Sequence, residues 1–233
     1  MRIAEVFHSI QGEGLHAGTP SVFIRTTGCN LRCWFCDTPE TSWRPRGAAR
    51  GWEELIEEVE SFECRHVVVT GGEPLLQPDV VPLTCALHQS GHVVTIETAG
   101  TVFRPVQAAL VSLSPKLANS TPWTLPAAYP RSERWAARHE RDRDDPAVIE
   151  RFVESYEYQL KFVVDRREDI DEVDEYLSRF PAVPSERVWL MPQAVTAAEI
   201  VDKNAWIAPE AERRGFRVSP RLHIDLYGNA PGT

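Results

Sequence analysis

Cys29, Cys33 and Cys36 stand at i, i+4 and i+7 within Gly28-Cys29-Asn30-Leu31-Arg32-Cys33-Trp34-Phe35-Cys36-Asp37-Thr38. A loop of that spacing can wrap around a metal centre and turn three sulfurs inward. Three thiolates can hold three irons of a four-iron cluster and leave the fourth iron without a protein ligand. An electron carrier of the ferredoxin type closes its cluster with four cysteines, and a structural zinc site closes with four ligands. A cluster with one open position is built to bind something else. A zinc site that recruits His8 or His16 beside the three cysteines is the competing reading of the same loop.

Thr70-Gly71-Gly72-Glu73-Pro74 is the second candidate. Two glycines after a strand let backbone groups approach a ligand closely, and Glu73 can accept hydrogen bonds from an ammonium group. The same residues also suit a plain strand-to-helix turn. Ser114-Pro115-Lys116 and Pro192-Gln193 follow strand-like runs too. Lys116 on its own reads equally well as a surface lysine, and Gln11-Gly12-Glu13-Gly14 on its own as a surface turn.

The elements that must position these residues follow from periodicity. Strands are expected at residues 3–7, 21–25, 66–70, 93–97, 110–114, 158–164, 188–191 and 216–219. Arg25 ends the second of these and is expected beside the metal centre. Helices are expected where apolar residues recur at 3.6-residue spacing: around Trp52, Leu55, Ile56, Val59 and Phe62, over residues 80–89 and 146–155, around Ile170 to Phe180, and over residues 197–214. Gly215 stops the last of these, and Pro209 stands inside it as a kink candidate. Residues 223–226 read as a further pairing segment at the sheet edge. Residues 118–145, rich in Pro, Arg and Asp, break the rhythm and read as an inserted loop with one short helix, a lid or a dimer contact.

Strands that alternate with helices imply a parallel sheet with right-handed crossovers. About six βα units predict an α/β fold, a partial, open (β/α)6-type barrel of parallel strands. One domain spans residues 1–233. In such a sheet the polar motifs at strand ends share the carboxyl-end rim, where ligands bind.

The 233 residues are 42% hydrophobic and 25% charged, ordinary for a soluble globular protein. The formal net charge of −9 argues against a general nucleic-acid binder. No apolar run is long enough to span a bilayer, and no secretory signal is expected. Three of the five cysteines sit in one loop, which suits a reducing, cytoplasmic location and a metal site. Cys64 and Cys85 read as small buried apolar residues of helices.

Taken together, the three-cysteine loop and the Gly-Gly-Glu-Pro turn resemble the radical S-adenosylmethionine superfamily. Ser9-Ile10-Gln11-Gly12-Glu13-Gly14, Arg25, Cys36-Asp37-Thr38, Ser114-Pro115-Lys116 and Tyr158-Gln159-Leu160-Lys161-Phe162 narrow the resemblance to the 7-carboxy-7-deazaguanine synthase family, nearly end to end and in order. The resemblance implies a 4Fe-4S cluster on Cys29, Cys33 and Cys36, whose open iron is chelated by the methionine end of S-adenosylmethionine. It implies cofactor contacts at Phe35, Cys36, Asp37, Gly71, Gly72, Glu73, Ser114, Pro115, Lys116, Pro192 and Gln193. Substrate contacts are implied at Ile10, Gln11, Gly12, Glu13, Arg25, Thr70 and the tail residue Thr233, and a magnesium ligand at Thr38, which alone also reads as a loop-capping threonine.

The implied reaction is reductive cleavage of S-adenosylmethionine, hydrogen abstraction from 6-carboxy-5,6,7,8-tetrahydropterin, ring contraction and loss of ammonia on the route to queuosine or related 7-deazapurines. An electron donor such as flavodoxin or ferredoxin and a homodimer are implied partners. Two other readings share the loop: a glycyl-radical-enzyme activating protein, and a non-enzymatic iron–sulfur or zinc module.

Overall fold

The computed structural model describes residues 1–123, 132–228, 230 and 232. In chain order the elements are β1 (Arg2–Ile10), β2 (Pro20–Thr26), β3 (Ala48–Ala49), α1 (Trp52–Ser61), β4 (His66–Gly71), α2 (Val80–Gln89), β5 (Val93–Thr98), β6 (Leu110–Leu113), α3 (Ser132–Asp142), α4 (Pro146–Ser155), β7 (Tyr158–Val164), α5 (Glu168–Ser178), β8 (Val188–Pro192), α6 (Ala197–Arg214), β9 (Arg217–Val218) and α7 (Leu222–Tyr227).

The strands form one sheet in the order β3-β1-β2-β4-β5-β6-β7-β8-β9. From β2 to β9 every neighbour is parallel. The two end strands, β3 and β9, do not meet, so the barrel is open as expected. β1 departs from the all-parallel expectation: it is antiparallel to β2 and β3. Residues 11–19 join β1 to β2, and so short a connection can only double the chain back; a parallel return needs a dozen or more residues.

The period-two alternation of the strands divides the sheet into two faces. Val22, Ile24, Val67, Val69, Ile96, Leu113, Phe162 and Leu190 point to one face and join the buried core under the helices. Leu55 and Val59 of α1 and Leu83 and Leu87 of α2 complete that core. Removing so much apolar surface from water, at about 25 cal/mol per Å², is the main force that holds the layers together. The other face carries Thr70, Glu97, Ser112, Lys161 and Gln193 toward the barrel interior.

Among the described residues no helix joins β5 to β6; residues 99–109 cross without one. α6 runs unbroken through Pro209 from a capping box of Thr196 and Glu199 to Gly215 at φ 70°. Residues 223–226 are not an edge strand. Of Leu222, Ile224 and Leu226 only Ile224 is buried, beside Ala194 and Ile200. Three alternating apolar residues are too short a run to choose a strand, and the segment folds as α7. Cys64 lies in the turn after α1 rather than in a helix, where its thiol donates to the Pro20 carbonyl at 3.3 Å. The stretch read as an insertion carries the eleven-residue α3. No helix of the described residues is long and apolar enough to cross a membrane.

Candidate active site

The cysteine loop leaves β2 at Thr26 and runs without strand or helix across the carboxyl end of the sheet. It is held against the turn after β4. Glu73 N donates to Gly28 O at 2.9 Å, and Gly28 N to Thr41 O at 2.8 Å. A Cβ on Gly72 would stand 2.2 Å from Gly28 O, and one on Gly71 2.1 Å from Thr26 O at a φ of 121°. Both glycines are therefore required by close backbone contact and backbone conformation. That contact brings the two strongest sequence signals together.

Cys29, Cys33 and Cys36 line one open cavity of about 1040 Å³ with Phe35, Asp37, Thr38, Gly71, Gly72, Ser114, Lys116 and Gln193. Burial raises all three thiols, with Cys29 pushed up to about 12. Such thiols become thiolates when a cation compensates the charge. No imidazole lines this cavity. His8 stacks on Phe62 and His16 packs against His66, so neither completes a zinc site with the three cysteines. Among the described residues no three His, Cys, Asp or Glu side chains gather as ligands of one ion. Soft sulfur donors without a fourth protein ligand fit an iron–sulfur cluster with an open position.

Not every residue named for the cofactor faces the cavity. Met191 and Gln193 line it while Pro192 does not, and Ser114 and Lys116 line it while Pro115 does not. Strand alternation accounts for Pro192, which points to the opposite face. Lys116 Nζ donates to the carbonyl and hydroxyl of Ser114, both at 2.7 Å. Glu73 is fully buried and absent from the cavity wall. Its carboxylate accepts from Leu75 N at 3.1 Å, Thr98 Oγ1 at 2.9 Å and Ala99 N at 2.9 Å. Burial outweighs these bonds and raises its pKa. Glu73 thus ties the turn after β4 to the end of β5.

A second cavity of about 900 Å³ adjoins the first and gathers Ile10, Gln11, Gly12, Glu13, Arg25 and Thr70. Glu13, Asp37, Thr38, Thr70, Gly71 and Glu97 line both. Arg25 lines only this second cavity, contrary to its expected place beside the cysteines. Its register opposite Glu5 on β1 gives a 2.7 Å ion pair through Nε and places the guanidinium over Phe7 at 5.3 Å. Glu97 accepts from Gln11 Nε2 at 3.0 Å and from Thr70 Oγ1 at 2.7 Å.

Glu13 pairs with Lys161, with Arg221 at 3.3 Å and with His223 at 4.0 Å. Burial alone would push Glu13 up; the cations outweigh it and hold the carboxyl well below the usual range. Burial likewise opposes the charge on Lys161, but Glu13 and Glu97 keep its pKa raised. Arg221 continues to Asp37 at 2.9 Å, joining the start of α7 to the cysteine loop.

Arg221 and His223 were not expected in the site, and Glu97, at a strand end on the expected rim, and Lys161, in the Tyr158-Gln159-Leu160-Lys161-Phe162 motif, had no role assigned. Glu97 and Lys161 carried a signal, as polar residues in β-branched or apolar strands. Arg221 carried none, because its partners Glu13 and Asp37 lie 208 and 184 residues away. Thr233 lies outside the described residues. Ala230, just before it, lines the second cavity.

The Radical SAM superfamily profile matches residues 23–115. The chain is similar to a 7-carboxy-7-deazaguanine synthase of Halobacterium salinarum, 45% identical over 99% of this chain and 92% of that one. A second, of Rhodopirellula baltica, is 43% identical over 99% of this chain and 88% of that one. Among solved structures, QueE from Escherichia coli superposes with a TM-score of 0.67 at 26% identity, covering 94% of this chain and 92% of that one.

Proposed function

The chain belongs to the 7-carboxy-7-deazaguanine synthase family, and from that premise we propose how its residues divide the reaction. Its cofactors are a 4Fe-4S cluster and S-adenosylmethionine. Cys29, Cys33 and Cys36 would hold the cluster, and the edge formed by Gly71, Gly72, Ser114, Lys116 and Gln193 would hold S-adenosylmethionine. When bound, these groups supply a 5′-deoxyadenosyl radical, which takes a hydrogen atom from the substrate.

The substrate is 6-carboxy-5,6,7,8-tetrahydropterin, converted to 7-carboxy-7-deazaguanine with loss of ammonia. Among the described residues Arg25 is engaged through Nε, by Glu5, which leaves its Nη groups for the substrate carboxylate. Gln11, Glu13 and Glu97 offer donors and acceptors to the amide-like edge of the pterin. Thr38, on the wall between the cavities, offers a hard hydroxyl oxygen to magnesium. A flavodoxin or ferredoxin as electron donor, a homodimer and a cytoplasmic location complete the reading.

The observation that carries it is the shared wall. With its cofactors bound, the cysteine cavity would supply the radical beside the cavity whose charged groups would hold a carboxylated, nitrogen-rich ring, since Glu13, Asp37, Thr38, Thr70, Gly71 and Glu97 line both. A glycyl-radical activase acts on a protein, whereas the polar lining of Gln11, Glu13, Arg25 and Glu97 favours a small polar substrate. The test is anaerobic reconstitution with iron and sulfide, then incubation with the pterin, S-adenosylmethionine and a reductant. 7-Carboxy-7-deazaguanine and ammonia should accumulate; together they hold every atom of the substrate, so the hydrogen taken by the radical is returned and 5′-deoxyadenosine need not build up in step. Cleavage of S-adenosylmethionine that the pterin neither couples to nor accelerates would refute the assignment.

A further inference from the structure

Helix α3 lies against the cysteine loop, and His139 makes the contact. His139 is 1% exposed and does not line the cysteine cavity. The backbone N–H of Arg32, the residue before Cys33, donates to His139 Nδ1 at 3.0 Å. His139 Nε2 is 2.8 Å from Ser120 Oγ, and the Ser120 hydroxyl donates to Leu117 O at 2.6 Å.

The two ends of this chain set its direction. A backbone N–H can only donate and a backbone carbonyl can only accept. The proton of His139 therefore sits on Nε2 and is given to Ser120, and each group in the chain is satisfied. One turn earlier on the same helix, Trp135 lies under the Arg32 guanidinium at 4.2 Å. That guanidinium donates to Cys29 O at 2.6 Å and Leu31 O at 2.7 Å. The segment from Cys29 to Cys33 is thus gripped by α3 through both its backbone and a side chain.

We infer that α3 is a brace for the cluster loop, and that His139 is a positioning residue that fixes the Cys29–Cys33 spacing without being a ligand. The inference rests on the cluster reading above. Residues that orient metal ligands from behind are typically worth about 10- to 100-fold in metal affinity or activity.

The experiment measures iron release to a chelator from the anaerobically reconstituted protein, the electron paramagnetic resonance of the reduced cluster, and melting of the iron-free protein. His139→Phe removes both ring nitrogens at similar volume and should speed iron release roughly 10- to 100-fold, with a changed resonance line shape. His139→Asn returns an acceptor near the Nδ1 position and should release iron close to the wild-type rate. Wild-type release by His139→Phe, or equally fast release by both variants, overturns the inference. If His139→Phe fails to fold, Trp135→Leu carries the test, since it loosens Arg32 without touching the imidazole; unchanged release then overturns it. A wild-type protein that retains no iron, or a Cys33→Ala protein that retains it all, faults the cluster reading instead.

Discussion

The two adjoining cavities share a wall but are built from opposite materials. The cysteine cavity presents neutral thiols whose ionisation burial opposes. The second cavity is lined by groups whose charges are already answered: Arg25 by Glu5, and Glu13, which lines both cavities, by Lys161 and Arg221 on the cysteine side. A site of the first kind is completed by its ligand, because only a cation makes its donors stable as anions. A site of the second kind is complete beforehand, and its charges also hold the fold. The lesson is that damage to the first should remove a ligand, whereas damage to the second should cost stability as well as turnover.

The largest expected effect separates the cavities outright. Cys33→Ala should lose nearly all cluster iron and all turnover, while the iron-free protein melts within about 1 kcal/mol of wild type. Iron analysis beside circular dichroism checks both halves. A variant that keeps its iron would break the contrast.

Glu13→Gln attacks the charged network that the two cavities share. It leaves Lys161, 5% exposed, buried beside Arg221 without its main counter-charge. Such a loss costs about 3–5 kcal/mol, read by urea denaturation of the iron-free protein. Adding Lys161→Met should restore most of the stability and none of the turnover. If Glu13→Gln is as stable as wild type, the network is decoration rather than structure.

A smaller effect sharpens the division of labour. Arg25→Lys keeps the charge and loses the planar fork. Pterin turnover should fall roughly 10- to 100-fold, with a lesser loss in uncoupled cleavage of S-adenosylmethionine. Proportional losses would place Arg25 with the cofactor or the fold.

The smallest effect concerns pH. Burial pushes His139 down to about 4, so the unfolded chain takes up a proton near pH 6.5 that the folded protein refuses. Its contribution is full above pH 6.5 and is lost as pH falls toward 4. Between pH 7 and pH 5 the iron-free protein should lose about 2 kcal/mol more than His139→Asn does. Parallel melting curves for the two would contradict this.

The sequence shows the parts of this molecule that are local in the chain. β4 is legible because Val67-Val68-Val69 can only be a strand covered on both faces. α6 begins and ends where expected because Thr196 and Glu199 cap one end and Gly215 takes the left-handed conformation at the other. Gly71 and Gly72 are legible because close backbone approach to Thr26 and Gly28 demands glycine there. What escaped is set by partners distant in sequence. Nothing in Arg221 announces Asp37, and nothing in residues 3–7 says that β1 runs antiparallel. The part Glu73 plays in holding the turn was hidden too, since Thr98 and Ala99 reach it only once β5 lies beside β4. The stretch read as a lid or dimer contact also holds the histidine that grips the cysteine loop, a contact with no local signal.

The central claim is that chemistry begun in the cysteine cavity is delivered across the shared wall to a pterin in the charged one. Its most direct test is isotope transfer. The reconstituted protein is given carboxytetrahydropterin deuterated on its saturated ring carbons, and the 5′-deoxyadenosine is examined by mass spectrometry. Deuterium on the adenosyl 5′ carbon, in 5′-deoxyadenosine or in recovered S-adenosylmethionine, found together with 7-carboxy-7-deazaguanine, is the predicted result. Product that forms while neither carries deuterium would contradict the account.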